Sequence, residues 1–381
     1  MRTISCHNIK EQARFFIPLY KIGGTSAKIS SKLGFLHSVC TIFATELPFH
    51  HYHMLQSAHL KQLIQQAGFT ACGITRATQV SEQRSQELQQ WLAEGCHGKM
   101  DYLARNVDKK LDPRLLVEGA KSIVCVALNY YPGDWDKEED MEDACSDGTN
   151  QKERIHRKNA LRLSRYAYGT DYHEVVKNKL RQVLQQAGLT EGVDGRVFVD
   201  TAPIDEKYWA EQCGLGWRGR NSQLIIPGMG SFFFLGELVL THEIDQYDAP
   251  AQNHCGTCQR CLEACPMQAL KGDGTLDARR CLSYLTIECR DDLPQEAKKK
   301  MGNCFYGCDR CAEVCPWNQR FSHATTIEEL KPRKSLLNMT PTDWKNLSIE
   351  HYRQIFTHSA VKRAKFEGLM RNIRACTENI E

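Results

Sequence analysis

Two cysteine runs constrain this chain more than any other feature. The first is Cys255-x2-Cys258-x2-Cys261-x3-Cys265-Pro266 and the second is Cys308-x2-Cys311-x3-Cys315-Pro316, with Cys281 alone between them in Arg279-Arg280-Cys281. Thiolates at this spacing wrap three sulfurs of one loop around an iron–sulfur cube, while the fourth, just before the proline, swings away to another cube. The spacing therefore assigns Cys255, Cys258, Cys261 and Cys315 to one [4Fe–4S] cluster, and Cys265, Cys281, Cys308 and Cys311 to a second. The second run departs from the usual four-cysteine pattern, because its first ligand is displaced upstream to Cys281. Zinc ribbons use paired CxxC but do not need a Cys-Pro exit that occurs twice. Disulfides suit a secreted chain, which nothing here supports. The other cysteines (Cys6, Cys40, Cys72, Cys96, Cys125, Cys145, Cys213, Cys289, Cys304 and Cys376) lack ligand spacing and read mostly as buried thiols.

With 381 residues and 41% hydrophobic content, the chain can bury a real core in two or three domains. A net charge of +3 announces no nucleic-acid partner in bulk, but Lys331–Glu381 carries ten Lys/Arg against five Asp/Glu. Such a segment suits phosphate binding and a solvated helix face equally. No run of about 18 apolar residues exists, which argues against a membrane span. Residues 1–53 hold six Lys/Arg, two Asp/Glu and a short apolar run around Leu33–Ala44. Met54 directly precedes a good helix pattern, so an over-long start is the first explanation and a cleaved targeting peptide the second.

From Met54 the pattern reads helix (Leu55–Ala67), strand (Phe69–Ile74), polar helix (Ser81–Glu94) and a buried strand (Lys121–Leu128). Asp136–Asp143 packs six acids around one Lys and Lys152–Arg165 is rich in bases, which reads as a solvated insertion. Helix Asp171–Ala187, strand Arg196–Asp200, helix Ile204–Cys213, strand Asn221–Ile226 and strand Ser231–Thr241 follow. The cysteine loops fill Asn253–Asn318, and the remainder reads as helical, with strong amphipathic spacing over Ser359–Phe366. Helices and strands alternate without a βαβ rhythm, so the class is α+β. No Walker A loop or dinucleotide fingerprint occurs. The glycine cluster Gly214–Gly219 follows a helix instead of opening one, which argues against a Rossmann site.

The conjunction of several motifs resembles the epoxyqueuosine reductase family. They are His97-Gly98-Lys99-Met100-Asp101-Tyr102-Leu103-Ala104-Arg105, Tyr166–His173, Phe198-Val199-Asp200-Thr201-Ala202-Pro203, Gly214–Asn221, Gly230–Glu237, Asp277–Glu288 and Tyr306-Gly307-Cys308-Asp309. They run in family order from about Met54 to about Arg374. The chain departs from the pattern in its long insertion around 134–160, in Arg220 where Lys is usual, and in a short C-terminus. The resemblance implies a nitroreductase-like cobalamin-binding catalytic domain over 54–250, a ferredoxin-like two-cluster domain over 251–325 and a helical, basic segment over 326–381. It implies reduction of epoxyqueuosine to queuosine at the wobble position of a tRNA with a GUN anticodon, the last step of queuosine formation. Two [4Fe–4S] clusters would feed a base-off cobalamin, with electrons from an external donor of ferredoxin or flavodoxin type. The protein would be a cytoplasmic monomer.

Residue by residue, the resemblance makes Asp200 the proton donor. A free Asp, with a pKa near 3.9, is ionised at neutral pH, so donation needs a pocket that raises this value, and Phe198, Val199, Ala202 and Pro203 are apolar. The plainer alternative is a helix cap at Asp200 or Thr201 ahead of Pro203. Arg105 matches a cobalamin-contacting position, whose other reading is an exposed helix end. Leu224, Leu235, Thr275 and Glu288 fall in motifs that line the family's corrin pocket, although a Leu in an apolar strand is ordinarily core. Tyr172 and His173 suit contact with a nucleobase, while His173 equally reads as a satisfied core histidine. Ser283, Arg279 and Arg280, beside a cluster ligand, suit tRNA phosphates or tuning of the cluster potential. Competing readings are a plain two-cluster electron-transfer protein, which leaves Val199–Pro203 without a role, and a reductive dehalogenase, whose twin-arginine signal residues 1–53 lack. A cobalamin-processing chaperone would not need eight cluster thiolates.

Overall fold

An antiparallel four-stranded sheet organises the first half of the chain. Its order is β1 (Ala71–Arg76), β2 (Ser122–Asn129), β4 (Phe233–Leu240), β3 (Gly195–Phe198). Every residue of β2 is buried, because the sheet is covered on both faces; this is why Ile123-Val124-Cys125-Val126 reads as a continuous apolar run and not as an alternation. Val124, Val126 and Leu128 face helices α1 (Ser57–Gln66) and α3 (Tyr172–Gln186), labelled with α2 (Glu82–Ala93) between them. Ile123, Cys125 and Ala127 face the opposite way, towards Trp209 and Ala210 of α4 (Glu206–Gln212). The register sets Cys125 opposite Glu237 and Phe198 opposite Glu237, which places a carboxyl group in mid-sheet.

The computed structural model describes residues 54–133 and 161–378, and expectations for 1–53 and 134–160 lie outside them. Residues from Met54 onward cluster as one compact unit. A second core gathers Phe305, Tyr306, Trp344 and Phe356 with α5 (Leu282–Ile287) and α6 (Lys365–Thr377). Leu161, Leu163 and Tyr168 belong to that core too, and Arg162–Leu163 pairs in parallel with Cys304–Tyr306. The expected solvated insertion therefore stops short of Arg165, which is 7% exposed and bonds Glu313 at 2.8 Å. Arg165 is also anchored through its backbone N–H, which donates to Asp309 Oδ2 at 2.7 Å. Among the described residues no helix is long and apolar enough to cross a membrane.

Three further expectations need correction. The strand expected over Asn221–Ile226 is only Leu224–Ile225, because Ser222 takes a positive φ of 64° and closes a turn onto the Gly219 carbonyl. The continuous helix expected across Ser359–Phe366 breaks at Lys365, where φ is 59°. Arg290 donates to the carbonyls of Arg363 and Ala364, so the helical ladder is interrupted there. The basic C-terminal segment is also partly structural. Arg333 donates to the carbonyls of Ile355, Thr357 and His358, while Arg371 donates to those of Leu285, Cys289 and Asp291.

Candidate active site and cluster cradles

Each Cys-Pro step has the same backbone. Cys265 (φ −73°, ψ 106°) and Cys315 (φ −70°, ψ 122°) are both extended, as a residue before proline must be. Helices 260–264 and 310–313 pack against each other, so each extended cysteine is carried into the other run's territory. Burial pushes the Cys261 thiol up, and Cys255, Cys315 and Cys258 crowd it further. Cys311 is pushed up by burial and then by Cys308, Cys281 and Cys265. Cys315 thus joins the first run at one cavity, and Cys265 and Cys281 act on the Cys311 thiol of the second, in line with the exchange of fourth ligands that two cubes would use. Cys255, Cys258, Cys261 and Cys315 line that cavity, of about 230 Å³, with Arg220, Asn221, His254 and Trp317. Trp217 Nε1 donates to Cys255 Sγ at 3.4 Å, and the Ala269 N–H donates to Cys265 Sγ at 3.3 Å. Bonds of this kind stabilise charge on cluster sulfur.

Asp200 occupies a strained turn beyond the end of β3. Its φ is 53°, and the Thr201 N–H closes a γ-turn onto the Val199 carbonyl. A non-glycine residue in that conformation costs about 1–3 kcal/mol and persists only where its surroundings hold it. The helix-cap reading is excluded, since α4 begins at Glu206 with Asp205 at its cap position. What holds the turn is a set of side chains from separate elements. Glu206 accepts from the Asp200 N–H, and Tyr172 Oη donates to Asp200 Oδ2 at 2.7 Å. His173 Nε2 lies 3.2 Å from the same oxygen, and its Nδ1 lies 2.7 Å from Asp171 Oδ1. Phe234 of β4, Tyr172 and His173 stack in succession, with centroids 4.2 and 4.0 Å apart, so the sheet itself supports the imidazole.

The electrostatics reverse one expectation. Partial desolvation works against the charge on Asp200, but hydrogen bonds from His173 and Tyr172 outweigh it and hold the carboxyl below its usual value. The pocket expected to raise this value does the opposite, because two donors converge on one oxygen. The proton resides elsewhere. Burial opposes the His173 cation, but the carboxylates of Asp171 and Asp200 push its pKa up to about 9. Burial and the neighbouring Asp200 charge push the Glu206 carboxyl up to about 8. Sequence reasoning missed Glu206; its position six residues after Asp200, at a helix start, was the available signal.

The other candidates divide. Tyr102 is 44% exposed, has Arg363 over its ring at 5.4 Å, and feels the charges of Glu288 and Asp200. Its loop is docked on α5, where the Lys99 N–H donates to Tyr284 Oη at 2.8 Å. Arg105, on the same loop, is exposed. Glu288 makes a two-pronged pair with Arg363 at 2.7 Å. Lys207 donates to the Ser222 carbonyl at 2.6 Å, and its positive charge acts on both Asp200 and Cys281. Leu224 is 5% exposed within the α4-covered core, while Leu235 is half-buried. Thr275 donates to Asp273 Oδ1 at 2.6 Å and closes a turn in the loop between the two runs. Arg279 is committed to Asp277 at 2.7 and 2.8 Å, Arg280 is exposed, and Ser283 is half-buried.

Two family models match the chain: epoxyqueuosine reductase QueG, DUF1730, over residues 110–201, and the 4Fe-4S double cluster binding domain over residues 254–318. The epoxyqueuosine reductase of Cyclobacterium marinum is 43% identical over 316 residues, covering 82% of this chain and 94% of the relative. The chain belongs to the epoxyqueuosine reductase family. As a member of it the protein is an oxidoreductase, with two [4Fe–4S] clusters in its double-cluster domain. Among solved structures, an epoxyqueuosine reductase with an epoxyqueuosine-modified tRNA stem loop aligns with TM-score 0.71 and 27% identity, over 84% of this chain and 80% of that one. The Bacillus subtilis epoxyqueuosine reductase, described with its aspartate-bearing catalytic loop swung out of the active site, aligns with TM-score 0.70 and 26% identity, over 84% and 81%. The α+β architecture of this chain is therefore that of epoxyqueuosine reductases.

Proposed function

We propose that this protein reduces epoxyqueuosine in tRNA to queuosine, with Asp200 delivering the proton to the departing epoxide oxygen. The observation that carries this reading is the strained Asp200 turn, held by Tyr172, His173 and Glu206. The relative whose catalytic aspartate loop swings out supports giving the role to a loop aspartate. Both donors bond Oδ2, so among the described residues Oδ1 has no protein donor, and the side chain is 57% exposed. Asp200 and His173 act as a pair that shares one proton. His173 stores it at neutral pH and Asp200 passes it outward, which answers the low carboxyl pKa.

The eight cysteines would hold the clusters four to each: Cys255, Cys258, Cys261 and Cys315 one, and Cys265, Cys281, Cys308 and Cys311 the other. Cobalamin fits the open side of this site. The exposed Tyr102 ring, half-buried Leu235 and the Glu288–Arg363 pair offer an apolar face with hydrogen-bonding groups at its edge, as a large ring bearing amides needs. Arg105 and the Thr275 loop extend that edge, whereas Leu224 contributes packing. When bound, cobalamin supplies the metal chemistry at the substrate ring and the clusters supply electrons one at a time. The protein's own part is to seat the substrate, hold the proton and keep the aspartate turn in place. Arg280 and Ser283 flank the site and suit a phosphate contact, while Arg279 reaches one only by releasing Asp277. An external reductant of ferredoxin or flavodoxin type and a cytoplasmic monomer complete the reading.

The test is an anaerobic assay of reconstituted protein with cobalamin, a strong reductant and tRNA bearing epoxyqueuosine, followed by nucleoside mass spectrometry. Cobalamin-dependent loss of one oxygen is the expected result. No conversion by protein shown to hold both clusters and cobalamin would overturn the reading.

A further inference from the structure

The His173 imidazole is clamped between two carboxylates. Its Nε2 lies 3.2 Å from Asp200 Oδ2, and its Nδ1 lies 2.7 Å from Asp171 Oδ1. A neutral imidazole donates at one nitrogen only, so the ring satisfies both oxygens only as the cation. Asp171 Oδ1 also accepts from the His173 N–H at 3.1 Å and caps α3, so the helix start fixes the oxygen that meets the ring.

The stretch that carries Asp171 is built into the C-terminal segment. The Thr170 N–H donates to the Glu329 carbonyl at 2.7 Å, and the Asp171 N–H donates to the His358 carbonyl at 2.8 Å. His358 takes a positive φ of 51°, and its carbonyl also accepts from Arg333 Nη2 at 2.6 Å. Arg333 closes the frame with its own N–H on the Tyr168 carbonyl at 3.2 Å. Gly169 is buried inside it, and a Cβ there would lie 2.8 Å from the Leu330 backbone. A helix cap alone needs no such frame, whereas a carboxylate that must meet one ring nitrogen does.

We propose that Asp171 is a positioning residue of the reaction, which holds the His173 ring so that Nδ1 meets Asp171 and Nε2 presents its proton to Asp200. The inference rests on the function proposed above. The charged and titratable groups around the ring are Asp171 and Tyr172 of its own stretch, Asp200 on its turn, and Glu206 and Lys207 of α4. Beyond Asp171 lie Arg333 and the His358–Glu174 pair. Among the described residues, the side chains that bond the ring are those of Asp171 and Asp200. When the Nε2–H bond breaks and the proton passes to Asp200, the proton on Nδ1 stays bonded to Asp171. The neutral ring then keeps its orientation, with Nε2 as the acceptor for the next proton, which solvent returns through the exposed Asp200 carboxyl after product leaves.

The test uses the holoenzyme with both clusters and cobalamin. Asp171→Asn keeps an oxygen for the ring and for the helix cap and removes only the charge. Nitrogen-15 NMR of labelled histidine, with clusters and cobalamin oxidised and therefore diamagnetic, reads the ring directly, and His173→Gln assigns its signal. The wild-type ring should titrate at about pH 9, and that of Asp171→Asn at least about one unit lower. Turnover (kcat) of the variant at pH 8 should fall at least about twofold and approach the wild-type value at pH 6, while KM for the tRNA stays unchanged. If Asp171→Asn does not fold, Asp171→Ser, another good cap, serves with the same readouts. A ring titration unmoved by the substitution, or a loss of kcat that is equal at both pH values, would overturn the proposal. The ring is read without substrate, so the positioning role and the enzymatic reading fail separately.

Discussion

At the residue scale the site is a problem of where a proton rests. Asp200 sits in a conformation few non-glycine residues adopt, with two donors on one carboxylate oxygen. Asp200→Asn preserves that shape, so we expect clusters and cobalamin to be retained while turnover falls by about 10²–10⁴-fold. Near-normal turnover would remove Asp200 from the mechanism. His173 fixes the pH dependence. Its pKa rises from 6.5 to about 9 in the fold, so its contribution to stability is complete below pH 6.5 and is lost as pH rises through about 9. Turnover should decline over the same upper range as the stored proton is lost. In His173→Gln that decline should shift or vanish along with most of the activity, and a wild-type profile in this variant would show that the imidazole only stacks.

At the element scale, the site depends on loops pinned to helices. Gly98 has φ 61°, and a Cβ there would lie 2.6 Å from Tyr284 Oη. Gly98→Ala should therefore lose about 1–3 kcal/mol of stability from the backbone strain alone, measurable as a lower denaturation midpoint. It should also weaken cobalamin retention, since the displaced loop carries Tyr102 and Arg105; unchanged retention would detach that loop from the corrin site. Arg371 joins α6 to α5 through the Leu285 carbonyl and to the loop after it through those of Cys289 and Asp291. Removing it in Arg371→Ala should cost about 1–3 kcal/mol for the acceptors left unpaired, without altering the affinity for anionic polymers. A large loss of RNA affinity at equal stability would return Arg371 to the phosphate-binding reading of the basic tail.

At the scale of the whole molecule, the two cysteine runs are interlocked. Cys315 lies with Cys255, Cys258 and Cys261, although its own run carries Cys308 and Cys311. Cys315→Ser should disturb the same electron paramagnetic resonance signal as Cys255→Ser, and Cys265→Ser the same signal as Cys308→Ser. The opposite grouping would break the exchanged arrangement. Hydrogen bonds fasten the cluster region to the sheet. Asn318, three residues past Cys315, accepts from the Ser231 N–H at 2.6 Å ahead of β4, and Thr325 donates to the Asn129 carbonyl at 2.7 Å at the end of β2. The segment that follows Cys315 is thereby tied to the sheet that carries the Asp200 turn.

The sequence by itself determined the features that rest on short-range spacing. The cysteine runs, the buried strand Ser122–Asn129 and the helix Tyr172–Gln186 are all local in the chain, where period and ligand spacing are set by bond geometry. The motif around Asp200 marked the residue but misjudged its protonation. Only the tertiary structure decided that, because Tyr172, His173 and Glu206 reach it from α3 and α4. A carboxyl group's proton affinity depends on charges and donors within a few ångströms, and those are brought together by strand register and helix packing, which no local pattern encodes.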